Sequence, residues 1–551
     1  KGLGGYHLVC LASSSSVVCG LRRRKSRDRK PFAIMVRDLE HACRLCDISA
    51  AEADLLQSPE RPIVLLGSRR VSNVCVAVAP ESPQLGVMLP YTPLHHLLFA
   101  EVGEKALVMT SGNRSDEPIA YEDMDARIRL AGICDFVLSH DREIEIRCDD
   151  SVSRVVLGSG QILRRARGYA PLPIRLPLPC SETILALGGQ LKAAFTIGRG
   201  EQAFVGHHLG DLDHFEAYRA FERDLRLFEQ MFEVQPRILV HDMHPDYATT
   251  RYALRRAEQE GLRTIAVQHH HAHLAGCLAE HGQFGPAIGV VFDGTGFGRD
   301  EASGRATVWG GEFLVGGLRR FRRAAHLRHV FMPGGDAAIR EPWRMAYAYL
   351  HEAGCEFPEF SGRFEPGKIH VVRQMLERGI QSPPTSSAGR LFDAVASLLG
   401  LCDVASFEGE AAMRLEMLAA NEAENGVYPF EFRAPPGDTG PAEVDFRPLL
   451  VSLLEDMRRN VAAARIARRF HDTMGEVIER MCRKLAEREG IDRVVLSGGV
   501  FQNRLLLEGA AARLERAGLS VLFNQWTPPG DGGMSFGQLA VAAAQLGNLG
   551  D

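Results

Sequence analysis

Gln268-His269-His270-His271-Ala272-His273, running on as LAGCLAEH to His281, is the stretch from which this chain is best read. His269 and His273 stand four residues apart, so on a helix both imidazoles share one face and can take hold of a metal ion together. A plain histidine patch is the alternative, and four histidines within residues 269–273 weigh against it. Two carboxylates offer themselves as further ligands: Asp293, at the end of the apolar run 287–292, and Asp531, within Pro529-Gly530-Asp531-Gly532-Gly533. Two imidazoles and two carboxylates without a thiolate suit iron(II), manganese or zinc better than a structural zinc site.

Glycine loops surround these residues in the sequence. Gly294 and Gly296 lie in DGTGFG (293–298), Gly189 and Lys192 in LGGQLK (187–192), and Gly498, Gly499 and Asn503 in SGGVFQN (497–503). Glycines let a backbone come close to phosphate groups, and a strand running through Gly-Gly into a helix start leaves N–H groups free to bind them. A hairpin turn would explain any one loop; three in one region read as a nucleotide site. Glu408-Gly409-Glu410 could reach the same nucleotide, with a solvated acidic turn as the simpler reading.

The chain has 551 residues, more than one hydrophobic core usually organises, so at least two domains are expected. Hydrophobic residues make up 45% and charged residues 24%, the balance of a globular protein rather than a disordered one. A formal charge of -5 supplies no global attraction to nucleic acid or anionic membrane. No stretch reaches the ~20 apolar residues of a spanning helix, and the glycines, His7 and serine run of the opening segment break any signal-peptide core, so a cytoplasmic location is expected. The twelve cysteines are scattered, with one CxxC at Cys43 and Cys46, and read as reduced thiols.

Up to about Pro177, short apolar runs such as 62–66 and 106–110 alternate with helix-like segments, which predicts a compact α/β domain over 1–177. Prolines at 171, 173, 177 and 179 predict an extended connector that is neither helix nor sheet, its end at 178–182. A second domain over 183–551 begins with a strand, a Gly-Gly turn and a strand (184–198) and repeats the idea at 287–309, as two similar lobes would. A mainly helical insertion is expected from about 360 to 490, where Phe470, Met474, Val477 and Met481 follow helical spacing. Strand, helix, strand and helix then follow at 491–499, 503–518, 519–523 and 534–546, the pattern of a parallel sheet.

In the first domain, residues 22–30 pack seven cations and one acid just before an apolar strand, among them Lys25 and Arg27. Such a run wants anions, although a solvated basic face or a nucleic-acid patch would look the same. Ser111 and Asn113 follow a predicted strand, where ligands of α/β sheets commonly bind. Ser151 in CDDSV and Arg165 and Arg167 in RRARG add a hydroxyl and two cations, together enough for a triphosphate.

These stretches, the basic run ending in Lys-Pro, the SGN loop, DDSV and RARG, resemble the YrdC family over nearly the whole first domain. HHHAH, DGTGFG, SGGVFQN and PGDGG, in that order, resemble the Kae1-like fold of the actin, Hsp70 and sugar-kinase superfamily. The order of the two, with HDMHPDY at 241–247, resembles the HypF family of hydrogenase-maturation carbamoyltransferases. The fold class implied is α/β, a YrdC-like domain followed by a two-lobed Kae1-like domain with a helical insertion. The resemblance implies that Lys25, Arg27, Ser111, Asn113, Ser151, Arg165 and Arg167 contact ATP and the acyl group. It implies nucleotide at Gly189, Lys192, Gly294, Gly296, Gly498, Gly499 and Asn503, and one transition metal, iron or zinc, on His269, His273, Asp293 and Asp531. No catalytic residue beyond these is assigned.

By the same resemblance the activity is carbamoyl transfer: ATP with Mg converts carbamate from carbamoyl phosphate into carbamoyl-adenylate, and the group passes to the C-terminal cysteine of a HypE-like acceptor protein. Family members carry an acylphosphatase domain and paired zinc fingers upstream, so the chain is expected to be a piece of a longer one, with zinc fingers only in that preceding part. An O-carbamoyltransferase acting on a small hydroxyl compound has the same modules in reversed order. Threonylcarbamoylation of tRNA uses separate YrdC and Kae1 proteins, and the basic stretches 22–30 and 319–323 speak for it while the net charge speaks against it. A scaffold that binds ATP without releasing pyrophosphate is the non-enzymatic alternative. Neither DNA nor membrane is an expected partner.

Overall fold

Three sheets organise the computed structural model, which describes residues 1–547 except 70–72, 116, 214, 301–303, 425 and 435–439. The first is eight-stranded and mixed. Its strands lie in the order His7–Leu11, Leu107–Ser111, Ala33–Met35, Gln84–Met88, Ile63–Ser68, Val152–Val156 and Ser159–Arg164, with Cys46–Asp47 paired to Ile63–Ser68. Ile34, Val64, Val87 and Val108, contributed by four of these short apolar strands, form its core.

The second sheet has the order Thr196–Val205, Pro173–Ala186, Ile238–Asp242 and Arg263–Val267. The proline-rich segment is therefore strand and not connector, and 178–182 lie inside it. Alternation is the reason. Pro173, Pro177 and Pro179 occupy alternate positions, so their missing N–H groups face one edge, and only 184–186 of this strand pair with Ile238–Asp242 on that other flank.

The third sheet is nine-stranded and runs from Glu431–Arg433 through Ala442–Asp445, Phe321–Leu327, Ala306–Gly316, Ala287–Arg299 and Arg493–Ser497 to Ser520–Phe523. Its last strands are parallel as expected, Ile288 beside Val494 and Val495 beside Leu522. Helices His269–Glu280 and Met534–Leu546 fill the space between second and third sheets in one core with Val240, Leu274, Val291 and Phe536. They cross at glycines: a Cβ on Gly276 would stand 3.3 Å from the Gly537 Cα. The helical layer begins earlier than expected, at Asp336, and returns two short strands, Glu431–Arg433 and Ala442–Asp445, to the sheet. Phe470, Met474, Val477 and Met481 are buried along helix Ala463–Glu489, which Gly490 ends in the left-handed conformation at φ 68°.

The first sheet's last hairpin abuts the second half of the chain. Ile162 N–H donates to the Gln525 carbonyl at 3.0 Å. Buried Arg154 donates to the carbonyls of Gln502 at 2.8 Å and Phe501 at 3.3 Å. Arg29 pairs with Glu410 at 3.3 Å. All twelve cysteines are free thiols. Among the described residues no helix is long and apolar enough to cross a membrane.

Candidate functional site

His269 is the first residue of helix His269–Glu280, whose N-cap Gln268 accepts from His271 N–H, and His273 follows one turn later on the same face. Asp293 lies in strand Ala287–Arg299, where the register with its antiparallel neighbour shifts between Phe292 and Gly296. DGTGFG is thus a bent strand and not a hairpin turn. Asp531 opens the turn that leads into helix Met534–Leu546. These four residues, drawn from three elements, bring one ligand atom each to within 4.8 Å of one another, and all four are buried. Asp293 Oδ2 faces His273 Nε2 at 3.1 Å and His269 Nε2 at 3.4 Å, and Asp531 Oδ1 lies 3.7 Å from His269 Nε2.

The donor set fits a divalent cation. Burial beside the Asp293 charge pushes the Asp531 carboxyl up to about 6, against the pull of His269. Burial would do the same to Asp293, but the facing imidazoles of His269 and His273 hold it well below the usual carboxylate range. Two carboxylates crowded together in a dry site, facing imidazole nitrogens, are an arrangement that a cation stabilises.

The glycine loops close around the quartet. Asp293 Oδ1 accepts from Gly294 N–H at 2.7 Å and Gly499 N–H at 3.2 Å. A Cβ on Gly499 would lie 2.7 Å from Asp293 Oδ1, so glycine is required for the loop to approach the carboxylate, and Gly498 adopts φ 98°. A Cβ on Gly296 would lie 2.7 Å from His269 Cδ2, and one on Gly189 3.4 Å from Asp531 Oδ2. Lys192 pairs with Glu408 at 2.6 Å, so Glu408 is tied to this wall, while Glu410 is buried and accepts from Ser406. The stretch 408–410 is thus half solvated, with Glu408 exposed and Glu410 buried. Asn503 Oδ1 caps helix Arg504–Arg516 by accepting Leu506 N–H at 2.9 Å, and its Nδ2 lies 2.9 Å from His471 Nε2. Both ends of its amide are engaged within the protein, because the strand-to-helix turn places it at the N-cap.

In the first half, Lys25, Ser111 and Asn113 come together. Lys25 Nζ donates to the carbonyls of Ser111 and Asn113, each at 2.7 Å, and Ser111 Oγ donates to Asn113 Oδ1, also at 2.7 Å. Burial, with Arg27 nearby, lowers the Lys25 ammonium to about 7. Arg27 lies over the Phe32 ring and donates to the Lys30 carbonyl. The other three residues hold the chain itself. Ser151 Oγ bridges the Arg167 carbonyl and Ala166 N–H, at 2.9 and 2.8 Å. Arg165 is buried and donates to the carbonyls of Tyr169, Leu172 and Trp526. Arg167 pairs with Asp150 at 2.8 Å, donates to the Glu60 and Arg61 carbonyls and stacks 3.5 Å from the Tyr91 ring centroid. Guanidiniums with five donors in a fixed fork serve such carbonyl-rich turns well, and that role is indistinguishable from phosphate binding in sequence.

Two residues escaped the sequence reading. Asp242 ends strand Ile238–Asp242 and lies 2.9 Å from His269 Nδ1. His208, half-buried, is held neutral by burial and by the charges of Arg164 and Lys192, one from each half of the chain, with Asp149 opposing. The signal for Asp242 was its place at the carboxyl end of a parallel strand, where ligand sites of α/β sheets gather.

Known proteins match the chain along nearly its whole length. A family model described as Telomere recombination, of the Sua5, YciO and YrdC group, matches residues 1–166. The HypF Kae1-like domain matches 179–280, and the second subdomain of the carbamoyltransferase Kae1-like domain matches 289–538. The carbamoyltransferase HypF2 of Cupriavidus necator is 41% identical over all of this chain and 72% of its own length. A crystal structure of full-length HypF in the phosphate- and nucleotide-bound form superposes with a TM-score of 0.94 at 38% identity, over 100% of this chain and 71% of that one. HypF from T. kodakarensis gives a TM-score of 0.90 at 32% identity, over 99% and 71%.

Proposed function

Because the chain belongs to the HypF family of carbamoyltransferases, we propose that it activates a carbamoyl group as the adenylate in residues 1–177 and transfers it in residues 183–551 to the C-terminal cysteine of a HypE-like acceptor protein. Carbamate derived from carbamoyl phosphate attacks the α-phosphorus of ATP, pyrophosphate leaves, and the acceptor thiol then attacks the carbamoyl carbon as AMP departs. The product is a thiocarbamate, the precursor of a cyanide ligand of nickel-iron hydrogenase. The observation that carries this reading is the presence of two separate polar sites in one body. Lys25, Ser111 and Asn113 form one; the buried quartet with its glycine loops forms the other.

Adenylation is a matter of position and charge, so the first site needs cations at the leaving pyrophosphate. Lys25 supplies a compact charge, which a phosphate at its side would restore by raising its pKa, and Arg27 a second. Nucleotide bound with Mg would draw Lys25 Nζ and Ser111 Oγ away from their present acceptors, the Ser111 and Asn113 carbonyls and Asn113 Oδ1. In the second site Gly189, Gly294, Gly296, Gly498 and Gly499 bring backbone close to the adenylate, and Lys192 would exchange its ion pair with Glu408 for the phosphate. A divalent cation, iron or zinc, on His269, His273, Asp293 and Asp531 would supply Lewis-acid polarisation of the carbamoyl oxygen. Burial of the quartet keeps water from the activated carbon. His208, neutral and flanked by Arg164, Asp149 and Lys192, lies on the side where the two halves meet.

The tRNA alternative loses support from the fold. Arg22 and Lys25 turn inward, and Arg323 is buried against Glu312 at 2.6 Å, so neither basic stretch presents an intact cationic face. ATP-pyrophosphate exchange tests the proposal: carbamate or carbamoyl phosphate should stimulate it and threonine should not. Threonine-dependent exchange would move the assignment to tRNA modification. Binding of ATP without exchange would leave only a scaffold.

A further inference from the structure

HDMHPDY at 241–247 has no role in the chemistry described so far, yet it reaches the quartet. Strand Ile238–Asp242 delivers the Asp242 carboxylate, fully buried, to 2.9 Å from His269 Nδ1. A carboxylate at that position accepts, so the Nδ1 of His269 carries the proton. In the neutral ring Nε2 is then the lone-pair nitrogen, and Nε2 is the atom that faces Asp293 and Asp531. The carboxylate cannot swing away. Its second oxygen accepts His244 N–H at 2.7 Å, and its backbone carbonyl accepts from Thr250 Oγ1 at 3.1 Å and lies 2.7 Å from His241 Nδ1. Beyond it the loop is packed, with His244 and Tyr247 stacked at 4.2 Å and 3° and His244 set edge-on to Phe297 of DGTGFG at 5.3 Å.

We propose that Asp242 is the positioning residue of the metal site, fixing the tautomer and ring orientation of His269 so that Nε2 is presented to the cation. The inference rests on the metal reading of the quartet. It gives the first half of the 241–247 motif a physical role, because a carboxylate locked by its own loop behind a ligating imidazole raises that imidazole's basicity and removes its rotational freedom. An imidazole without such a partner would divide itself between two tautomers, one of which turns an N–H on the metal.

Cobalt(II) is a suitable probe because its visible absorption reports ligand geometry, and binding is read without any substrate. The full chain, stripped with chelator, is titrated with Co2+ as wild type, His273→Ala, Asp242→Ala and Asp242→Asn, with thermal unfolding of each metal-free protein as the check on folding. Wild type should bind one ion and His273→Ala should lose it. Asp242→Ala should bind about 10- to 100-fold more weakly with a changed absorption envelope at saturation, the range for removal of an outer partner of a ligating histidine. Asp242→Asn, which keeps the shape and one acceptor but not the charge, should fall between, at least about threefold weaker than wild type. Affinity within twofold of wild type and an unchanged spectrum in Asp242→Ala would overturn the role of Asp242 alone. If that variant does not fold, Asp242→Asn decides by the same twofold criterion. No Co2+ binding by wild type, or full binding by His273→Ala, would overturn the metal site itself and this inference with it.

Discussion

Arg154→Ala should loosen the buried quartet of His269, His273, Asp293 and Asp531 from a distance. Arg154 stands in the first sheet, in strand Val152–Val156, yet its guanidinium donates to Gln502 O at 2.8 Å and Phe501 O at 3.3 Å, while its Nε donates to Gln161 Oε1 at 2.9 Å. Those two carbonyls belong to the SGGVFQN turn, whose Gly499 N–H holds Asp293 Oδ1. Truncation removes two bonds of good length and one long one, and leaves buried acceptors without donors. The Gln161 bond lies within the first sheet's own hairpin, so the turn itself loses only the bonds at 501 and 502: at about 1.5 kcal/mol for the good charged bond and about 0.5 kcal/mol for the long one, about 2 kcal/mol. Since 1.4 kcal/mol is a factor of ten, the local opening equilibrium of 498–503 should rise by about thirtyfold. Amide hydrogen exchange reads this directly, at Gly498, Phe501 and Asn503, whose N–H groups bond to Pro529, Gly498 and Val500. Arg154→Lys, which keeps a charge but not the fork, should lie between. Exchange in Arg154→Ala within about threefold of wild type at these amides would refute the coupling of the halves through this side chain.

Three further outcomes are expected. His273→Ala should abolish carbamoyl transfer to the acceptor while leaving carbamate-dependent ATP-pyrophosphate exchange intact, and loss of both activities together would break the division between the two sites. Burial, with Arg27 nearby, lowers Lys25 to about 7, so at pH 8 a phosphate arriving there should draw a proton onto it; calorimetry of ATP binding in buffers of different ionisation enthalpy should show proton uptake that Lys25→Met removes, and buffer-independent heats would contradict this. Glu280 is buried and raised to about 7 despite hydrogen bonds from Thr527 and the 525–527 backbone. A carboxyl raised on folding contributes stability at low pH that is lost as pH climbs through the folded value, so thermal stability should decline from about pH 5 to 7 and Glu280→Gln should flatten that decline; an equal slope in the variant would exclude Glu280 as its source.

What the sequence made legible follows from the range of the physics. Helical spacing put His269 and His273 on one face, and strand-helix alternation from 491 to 546 declared the parallel half of the third sheet, because both are set within a few residues. The proline-rich segment misled because alternate prolines satisfy an extended connector and a one-sided edge strand equally, and only the partner strand Thr196–Val205 distinguishes them. Ser151, Arg165 and Arg167 show a second side of this: their donors are chemically apt for phosphate, and in the fold they meet carbonyls instead, those at 60, 61 and 526 from distant turns and those at 169 and 172 from the segment just downstream. Asp242 was visible as part of a motif but its partner lies beyond a helix and a strand.

The same long-range contacts tie the two halves of the chain together. Arg154 pins the turn that supplies Gly499, Gln161 donates to the Asn524 carbonyl at 3.1 Å, and Ile162 pairs with Gln525, so the first sheet grips both loops that follow the parallel strands 493–497 and 520–523. Those loops carry Gly498, Gly499 and, a few residues on, Asp531. Of the four clustered side chains His269 and His273 stand on a helix and Asp293 in a strand, but Asp531 hangs on a loop and the turn that holds Asp293 is another, and both would be softer if those loops were free. The first half of the chain is the clamp, tying the geometry of the quartet to the docking of residues 152–164 against those loops.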